Sequence, residues 1–209
     1  MALRAVVFDY GMVLSGLPDP VAHAELVRIT GLAENEFETH YWRDRPAYDE
    51  GKLTGLEFWH KLNRDVGLNL APAGIEELNH WDGCMWTTQN DAMIAWNERL
   101  KQRGLLTGIL SNMGDSVLKC IKQSFTWPER FDVCVWSFEH HMVKPDPAIY
   151  RLTLDQLGTR AEETLFIDDR AINVEAAAAL GMVAVQFSTV EKLREELIAR
   201  GLDAELPLP

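Results

Sequence analysis

Aspartates directly follow two short apolar runs of this chain. Asp9 comes after Ala5–Phe8, and the pair Asp168 and Asp169 comes after Leu165–Ile167. Each run is typical of a buried strand in a parallel sheet, where the carboxyl ends of the strands open onto the ligand crevice. Three carboxylates gathered at that edge repel one another unless a cation lies between them. The pattern therefore predicts a hard divalent metal, Mg²⁺, with a phosphate-like substrate beside it.

Two further strand ends supply groups that could bind the substrate. Ser111 and Asn112 follow the apolar run Leu106–Leu110, and Lys144 lies in the loop after Val133–Ser137. A hydroxyl with nearby backbone amides can hold phosphoryl oxygens, and a lysine ammonium acts on them as a point charge. Ser-Asn after a strand is also common in turns, and a loop lysine is often only solvated. The order of acid, hydroxyl, amine and acid pair along the chain favours one shared site.

Strands and helices must alternate to bring these groups together. From about residue 90 onwards the apolar strand runs, which continue to Val183–Phe187, are separated by stretches with helical periodicity. Repeated strand–helix units with continuous Val/Ile/Leu strands predict an α/β fold, a doubly wound Rossmann-like parallel sheet. The helices are predicted at Asn90–Arg103, Asp115–Ser124, Asp146–Leu157, Ala171–Leu180 and about Val190–Arg200.

Residues 17–86 differ in character from the rest, with apolar residues at three- and four-residue spacing and little strand signal. They predict a helical insertion, so that the α/β core is assigned to residues 1–16 and 87–209. Thr54 and Glu57 have the spacing of a capping box. Arg45-Pro46 is expected to interrupt its helix, which could turn Arg43 or Arg45 toward the crevice, with Arg45 taken as the substrate-binding residue. The helices are predicted near Val21–Thr30, Glu34–Asp49, Thr54–Val66 and Ala73–His80.

Composition limits the partners of this protein. The chain has 209 residues, of which 47% are hydrophobic and 25% charged, with a formal net charge of −12. This negative charge argues against nucleic acid or an anionic membrane surface as a partner. Three widely spaced cysteines without a CxxC pair are expected to be small buried hydrophobes in a reducing, cytoplasmic compartment. A monomer or homodimer that binds a small phosphorylated substrate is the expected state.

Four ordered motifs resemble those of the haloacid dehalogenase-like (HAD) hydrolase superfamily. They are Phe8–Leu14, Leu110–Asn112, Val143–Asp146 and Phe166–Asp169. The helical insertion after the first motif is similar to the family's small α-helical cap. The Asp-x-Gly variant of the first motif, the Lys-Pro-Asp loop and the Asp-Asp pair most resemble bacterial sugar-phosphate phosphatases. They also resemble the phosphatase domain of soluble epoxide hydrolase.

The resemblance implies a role for each motif residue. Asp9 would be a nucleophile that forms an aspartyl-phosphate, with Lys144 as its catalytic partner. The Gly11 carbonyl, Asp9 and Asp169 would bind Mg²⁺, and Asp168 would act through water or by supporting the ligands. Most phosphatases of the superfamily carry a second aspartate, the general acid, where this chain has Gly11.

Three functions are compatible with these motifs. The leading hypothesis is a Mg²⁺-dependent phosphomonoesterase of small metabolites, with a sugar phosphate among the candidate substrates. A 2-haloacid dehalogenase also uses a nucleophilic aspartate without the second acid, but it needs no metal, and the pair Asp168-Asp169 argues against it. The third alternative is a weakly active phosphate-binding module, because the missing acid would slow turnover.

Overall fold

A parallel sheet of five strands forms the centre of the computed structural model, which describes residues 2–208. The strands are β1 Ala5–Phe8, β2 Leu106–Ser111, β3 Val133–Trp136, β4 Thr164–Asp168 and β5 Val183–Gln186. They lie in the order β3-β2-β1-β4-β5, and every neighbouring pair is parallel. The doubly wound parallel α/β fold predicted from the sequence is confirmed.

Helices flank this sheet and also fill the long connection after β1. In chain order they are α1 Pro20–Thr30, α2 Glu34–Asp49, α3 Gly55–Val66, α4 Pro72–Met85, α5 Asp91–Gln102, α6 Asp115–Ser124, α7 Ser137–His140, α8 Pro147–Leu157, α9 Ala171–Ala179 and α10 Val190–Ala199. Most boundaries lie within one residue of those predicted, and two differences bear on the site. Helix α4 continues five residues beyond His80, and Ser137 begins the short helix α7 instead of ending β3.

Strand β1 shows why the sheet is covered on both faces. Val6 and Phe8 pack into a core with side chains of α5, α6 and α10, whereas Ala5 and Val7 pack into a second core with α8 and α9. All four side chains are fully buried. Because each large apolar side chain contributes about 1.5–3 kcal/mol when buried, the strand is held firmly in the centre of the sheet.

Helices α1–α4 form a third core of their own between β1 and α5. Aromatic side chains dominate it, including Phe37, Tyr41, Phe58 and Trp59, all fully buried. The predicted capping box opens α3, where the Glu57 amide donates to Thr54 Oγ1 and the Thr54 amide donates to Glu57 Oε2.

The expectation that Arg45-Pro46 interrupts its helix is wrong. Helix α2 runs through Pro46 to Asp49. A proline removes one helical hydrogen bond, but Tyr41, Arg45 and Tyr48 on the same face are all buried in the aromatic core. The packing of that face keeps the helix continuous.

The end of α2 is tied to the α/β core at α7. The Ser137 hydroxyl donates to the carbonyl of Asp49, and it accepts from the Met113 amide at 2.9 Å. Gly51 has φ +74°, and a Cβ there would lie only 2.4 Å from the carbonyl oxygen of Phe138. A glycine is therefore required where the two parts approach, and the last turn of α2 is held in place beside the strand ends.

No helix within residues 2–208 has both the length and the apolar character needed to cross a membrane. The cysteines do not match the sequence expectation of full burial, since Cys84, Cys120 and Cys134 are each only partly buried and unpaired. Cys84 and Cys134 pack against the edges of the apolar cores.

Candidate active site

The carboxylates predicted to meet at the strand ends do so. Strand β1 pairs with β4 in parallel, and the amide of Asp9 donates to the carbonyl of Ile167 at 2.8 Å. This register sets Asp9 beside Asp168 at the carboxyl edge of the sheet. One carboxylate oxygen from each of Asp9, Asp168 and Asp169 lies within 4.8 Å of the others. The three aspartates therefore form one acidic cluster.

Lys144 reaches into this cluster from the loop after α7. Its ammonium lies 2.9 Å from Asp9 Oδ1 and 2.6 Å from Asp168 Oδ2, and it donates to the Leu110 carbonyl at 2.9 Å. The residue is 3% exposed. A buried ammonium with three acceptors is satisfied, and it offsets part of the negative charge of the two carboxylates.

The aspartate pair has two distinct environments. Both oxygens of Asp168 are occupied, because Oδ1 accepts from the Arg170 amide and Asn173, while Oδ2 accepts from Lys144 and Asn173. Asp169 lines the cavity above the cluster and is only partly buried. The Asn173 side chain of α9 donates to both oxygens of Asp168 and, within residues 2–208, makes no hydrogen bond to Asp169.

Ser111 and Asn112 lie at the end of β2, as their spacing predicts, and both line the cavity, but the Asn112 side chain is engaged by the Lys144 loop. Ser111 lines the cavity, and within residues 2–208 its hydroxyl makes no hydrogen bond. The Asn112 side chain instead spans the Lys144 loop, accepting from the Lys144 amide at 2.8 Å and donating to the Lys144 carbonyl at 2.9 Å. Asn112 thus positions Lys144, while Ser111 remains free to bind a substrate oxygen.

A tight turn follows Asp9 and places backbone groups at the site. The Tyr10 amide donates to Asp9 Oδ1 at 2.6 Å, and the Tyr10 hydroxyl donates to the Trp86 carbonyl at 2.9 Å. Met12 has φ +61°, which bulky residues rarely adopt, and its amide donates to Ser15 Oγ. Gly11 has φ −61° and ψ 131°, angles open to any residue. Glycine is therefore not required there by the backbone.

A cavity of about 340 Å³ rises from this cluster toward helices α1–α4. Its floor is formed by the strand ends and its walls include Trp42, Arg45, Asp49 and Trp86 from the helical insertion and the segment after it. Arg170 also lines it, directly after the aspartate pair. The sequence prediction did not include Asp49 or Arg170.

Arg45 lines the cavity, yet its guanidinium is already engaged. Its Nε donates to Asp49 Oδ1 at 2.9 Å and its Nη1 donates to Asp82 Oδ1 at 2.9 Å and to the Tyr41 hydroxyl. The guanidinium also lies 5.0 Å from the Tyr48 ring centroid. Its charge is thus matched by two carboxylates, and its substrate-binding role stays a prediction.

Burial and like charges perturb the acid groups of the site. The pKa of Asp9 is raised to about 7, mainly by burial and also by the negative charges of Asp168 and Asp169, against the opposing effect of Lys144. Burial and the neighbouring Asp168 also raise the pKa of Asp169. Without a metal, Asp9 and Asp169 therefore bind protons more readily than ordinary aspartates do. Such shifts are typical of carboxylates gathered at a functional site.

Mg²⁺ fits this donor set. The cluster offers hard carboxylate oxygens from Asp9 and Asp169, and the Gly11 carbonyl belongs to the adjoining turn that lines the same cavity. Asp168 is saturated by other donors and would support these ligands through Lys144 and Asn173. Burial and the neighbouring carboxylates raise the pKa of both Asp9 and Asp169, and a bound cation would stabilise the charged form of each.

A second group of metal-ligand atoms lies away from the cavity. His80 and Cys84 of α4 and Cys120 of α6 each place one such atom within 4.8 Å of the others. Burial raises the pKa of both thiols, that of Cys120 to about 11. Neither thiol lines the cavity that contains Asp9.

The fold and this site define a hydrolase of the HAD type. The family model for haloacid dehalogenase-like hydrolases matches residues 20–181. The chain belongs to the haloacid dehalogenase-like hydrolase family.

Its relatives include enzymes with two different reactions. Phosphatase MT3486 of Mycobacterium tuberculosis is 30% identical over 206 residues, covering 95% of this chain and 93% of its own. (S)-2-haloacid dehalogenase 1 of a Pseudomonas species is 27% identical over 210 residues, covering 92% of this chain and 88% of its own.

A solved structure shares the fold. The HAD family enzyme BT-2542 of Bacteroides thetaiotaomicron, in complex with magnesium and inorganic phosphate, superposes with a TM-score of 0.77 at 20% identity. The match covers 92% of this chain and 99% of that one.

Proposed function

We propose that this hydrolase is a Mg²⁺-dependent phosphomonoesterase of small phosphorylated metabolites, with sugar phosphates among the candidates. The observation that carries the proposal is the cluster of Asp9, Asp168 and Asp169 with the buried ammonium of Lys144 inserted into it. Because a phosphoryl group is rich in negative oxygens, hydrolysis needs concentrated positive charge next to a nucleophile. Asp9 supplies the nucleophile, and Lys144 supplies one fixed charge.

The proposed reaction proceeds through an aspartyl-phosphate. An oxygen of Asp9 attacks phosphorus, the bond from phosphorus to the ester oxygen breaks, and the alcohol leaves with a proton. Water then attacks phosphorus, the bond to Asp9 breaks, and inorganic phosphate is released. Bound Mg²⁺ would neutralise charge on the phosphoryl group. The ammonium of Lys144 supplies a fixed positive charge beside the phosphoryl group, and the hydroxyl of Ser111, which makes no hydrogen bond within residues 2–208, holds a phosphoryl oxygen.

Known relatives support this reaction without deciding the substrate. The M. tuberculosis relative is a phosphatase, and BT-2542 binds magnesium and phosphate in the same fold. The cavity of about 340 Å³ limits the substrate to a small molecule. We also place the protein in the cytoplasm, because its three cysteines are unpaired, as is typical of a reducing compartment. Whether it is a monomer or a homodimer stays a prediction.

Dehalogenation is the second candidate, because a haloacid dehalogenase is among the relatives. A carboxylate that attacks carbon needs no metal and no second acid beside Asp168. Asp169 lines the cavity and carries a raised pKa, which has no purpose in that reaction. The acidic cluster therefore favours phosphoryl transfer.

A screen of phosphorylated metabolites with Mg²⁺ tests the proposal. Phosphate release should depend on Mg²⁺, stop in EDTA and be absent in Asp9→Asn, which serves as the matched control. The same preparations receive 2-chloropropionate with and without EDTA. Chloride release that survives EDTA, with no phosphate release from any ester, would make the protein a dehalogenase.

A further inference from the structure

The proposed phosphatase lacks a proton donor on the turn that carries Asp9. Position 11 is glycine, so the alcohol leaves as a basic alkoxide unless another group protonates it. Among the side chains that line the cavity, carboxyl groups come from Asp9, Asp169 and Asp49. Asp9 is the proposed nucleophile and Asp169 a proposed metal ligand. Only Asp49 is left without an assigned role.

We propose that Asp49, from the helical insertion, is the general acid and base of this enzyme. The proposal rests on the proposed phosphatase function. Asp49 lies at the last position of α2 and lines the same cavity as Asp9 and Gly11. A carboxyl group that the insertion contributes to the wall of this cavity can meet the alcohol part of a phosphate ester bound at Asp9.

The carboxyl group of Asp49 has one oxygen engaged and one available. Oδ1 accepts from Arg45 Nε at 2.9 Å, and within residues 2–208 no hydrogen bond reaches Oδ2. The side chain is 16% exposed. A half-engaged carboxyl group in a cavity wall is oriented by its one partner and can still exchange a proton with a ligand.

Two contacts hold the Asp49 carboxyl group in position, one to its side chain and one to its backbone. Arg45, one turn earlier, is fixed by Asp82 of α4 and by the rings of Tyr41 and Tyr48. The Asp49 carbonyl accepts from Ser137 of the α/β core. Arg45 is thereby a positioning residue whose guanidinium orients Asp49. The carboxyl group is anchored to both the insertion and the core.

Electrostatics also favour a proton on Asp49. Burial raises its pKa and so does Asp82, while Arg45 and Arg170 oppose the shift, with a net rise above the ordinary value. A raised pKa leaves part of the population protonated closer to neutral pH, as a general acid requires.

The proton balance of both steps closes on Asp49. When Asp9 attacks phosphorus, the proton of Asp49 passes to the ester oxygen as its bond to phosphorus breaks, which gives the neutral alcohol and the Asp49 carboxylate. When water attacks the aspartyl-phosphate, the carboxylate takes a proton from that water. The bond from phosphorus to Asp9 then breaks, and the enzyme returns to its starting state.

The test compares phosphate esters whose alcohols differ in basicity. kcat/KM is measured with Mg²⁺ for p-nitrophenyl, phenyl and simple alkyl phosphates, in the wild type, Asp49→Asn and Asp44→Asn. Asp44 lies on the same helix but pairs with Arg43 and Lys61, so its variant controls for the lost charge. Asp49→Asn should lose about 10²-fold or more on alkyl phosphates and far less on p-nitrophenyl phosphate, since nitrophenolate leaves without a proton. Asp44→Asn should follow the wild type.

A rescue at position 11 provides a second readout. The angles at Gly11 suit any residue, and a Cβ there would meet Trp86 at 3.8 Å, an ordinary contact distance. Gly11→Asp in the Asp49→Asn background should restore alkyl phosphate turnover selectively. Thermal melts of each variant show whether it is folded.

Each proposal fails on a different result. An Asp49→Asn enzyme that loses the same factor on every ester, or nothing on any, would overturn the role of Asp49 while leaving the phosphatase function in place. Asp49→Asn could instead raise KM without changing kcat, and only for substrates that carry a particular hydroxyl, whatever the basicity of the leaving group. That result would make Asp49 a binding residue. A wild type that hydrolyses no phosphate ester with Mg²⁺ would refute the proposed function itself.

Discussion

Replacing Lys144 by methionine should destabilise the metal-free protein in a way that depends on pH and Mg²⁺. Lys144 is 3% exposed, and its ammonium lies between Asp9 and Asp168. Methionine has nearly the same length but no charge, so the two carboxylates would face each other unpaired. Removing one partner of a buried ion pair costs about 3–5 kcal/mol.

The expected shift in melting temperature follows from that cost. For a chain of this size each kcal/mol lowers Tm by about 2–4 °C, so Lys144→Met should melt about 6–20 °C below the wild type at pH 8 in EDTA. At pH 5.5 the difference should shrink, because the pKa of Asp9 is raised to about 7 even with Lys144 present and a protonated carboxyl group repels less. Mg²⁺ at pH 8 should also narrow the difference by neutralising the carboxylates.

Thermal melts at both pH values, with and without Mg²⁺, measure this effect. Lys101→Met is the matched control, since Lys101 pairs with Asp132 at 2.8 Å on the surface and its loss should cost about 1 kcal/mol or less. A Lys144→Met protein that melts within about 2 °C of the wild type at pH 8 in EDTA would refute the buried-charge reasoning. A large loss that ignores both pH and Mg²⁺ would show that Lys144 acts by packing alone.

Three further outcomes test the site. Asp9→Asn should abolish turnover while its urea midpoint in EDTA stays at or above that of the wild type, and near-normal activity in the folded variant would exclude the aspartyl-phosphate. Asp169→Ala should lose most activity and the rise in Tm that Mg²⁺ produces. The metal-free variant should be slightly more stable than the metal-free wild type, because repulsion between carboxylates is relieved. A strongly destabilised variant would show that Asp169 has a structural role instead. The pKa of Asp9 is about 7 in the folded protein and about 4 in the unfolded chain, so the folded state binds more protons between these values and its stability falls as pH rises through this window. Urea unfolding in EDTA should therefore give the wild type a smaller free energy of unfolding at pH 8 than at pH 5. In Asp9→Asn the free energy of unfolding should change less with pH. An equal change with pH in both proteins would contradict the shifted pKa of Asp9.

The strand ends were predictable from sequence because a short apolar run followed by an acid has few structural alternatives. Asp9 and Asp168 follow fully buried strands, and the parallel register brings them together without any other information. Helix α4 was harder to delimit. Asp82 and Gly83 are poor helix formers, so the sequence favours an earlier end of the helix. In the structure, Asp82 accepts hydrogen bonds from Tyr41 and Arg45. Gly83 allows α6 to pack closely, since a Cβ there would lie 2.3 Å from Cys120 Sγ.

Asp49 carries no local sign of its position. It is a single acid near the end of a polar helix, and its neighbours along the chain do not show that α2 ends against α7. Only the tertiary contact with Ser137 brings it over the strand ends. Arg170 could have been found from its place directly after the aspartate pair, but its direction depends on how β4 joins α9.

One aspartate would be enough to cap helix α9, and the environments of Asp168 and Asp169 show what the second one adds. Asp168 has both oxygens bound by Lys144, Asn173 and the Arg170 amide, so it has little capacity left for a metal. Asp169 faces the cavity instead. Asp168 therefore holds the ammonium beside Asp9, the proposed nucleophile, and Asp169 is left available for the proposed cation. An enzyme that attacks carbon without a metal needs only the first of these arrangements, and the presence of both favours phosphoryl transfer.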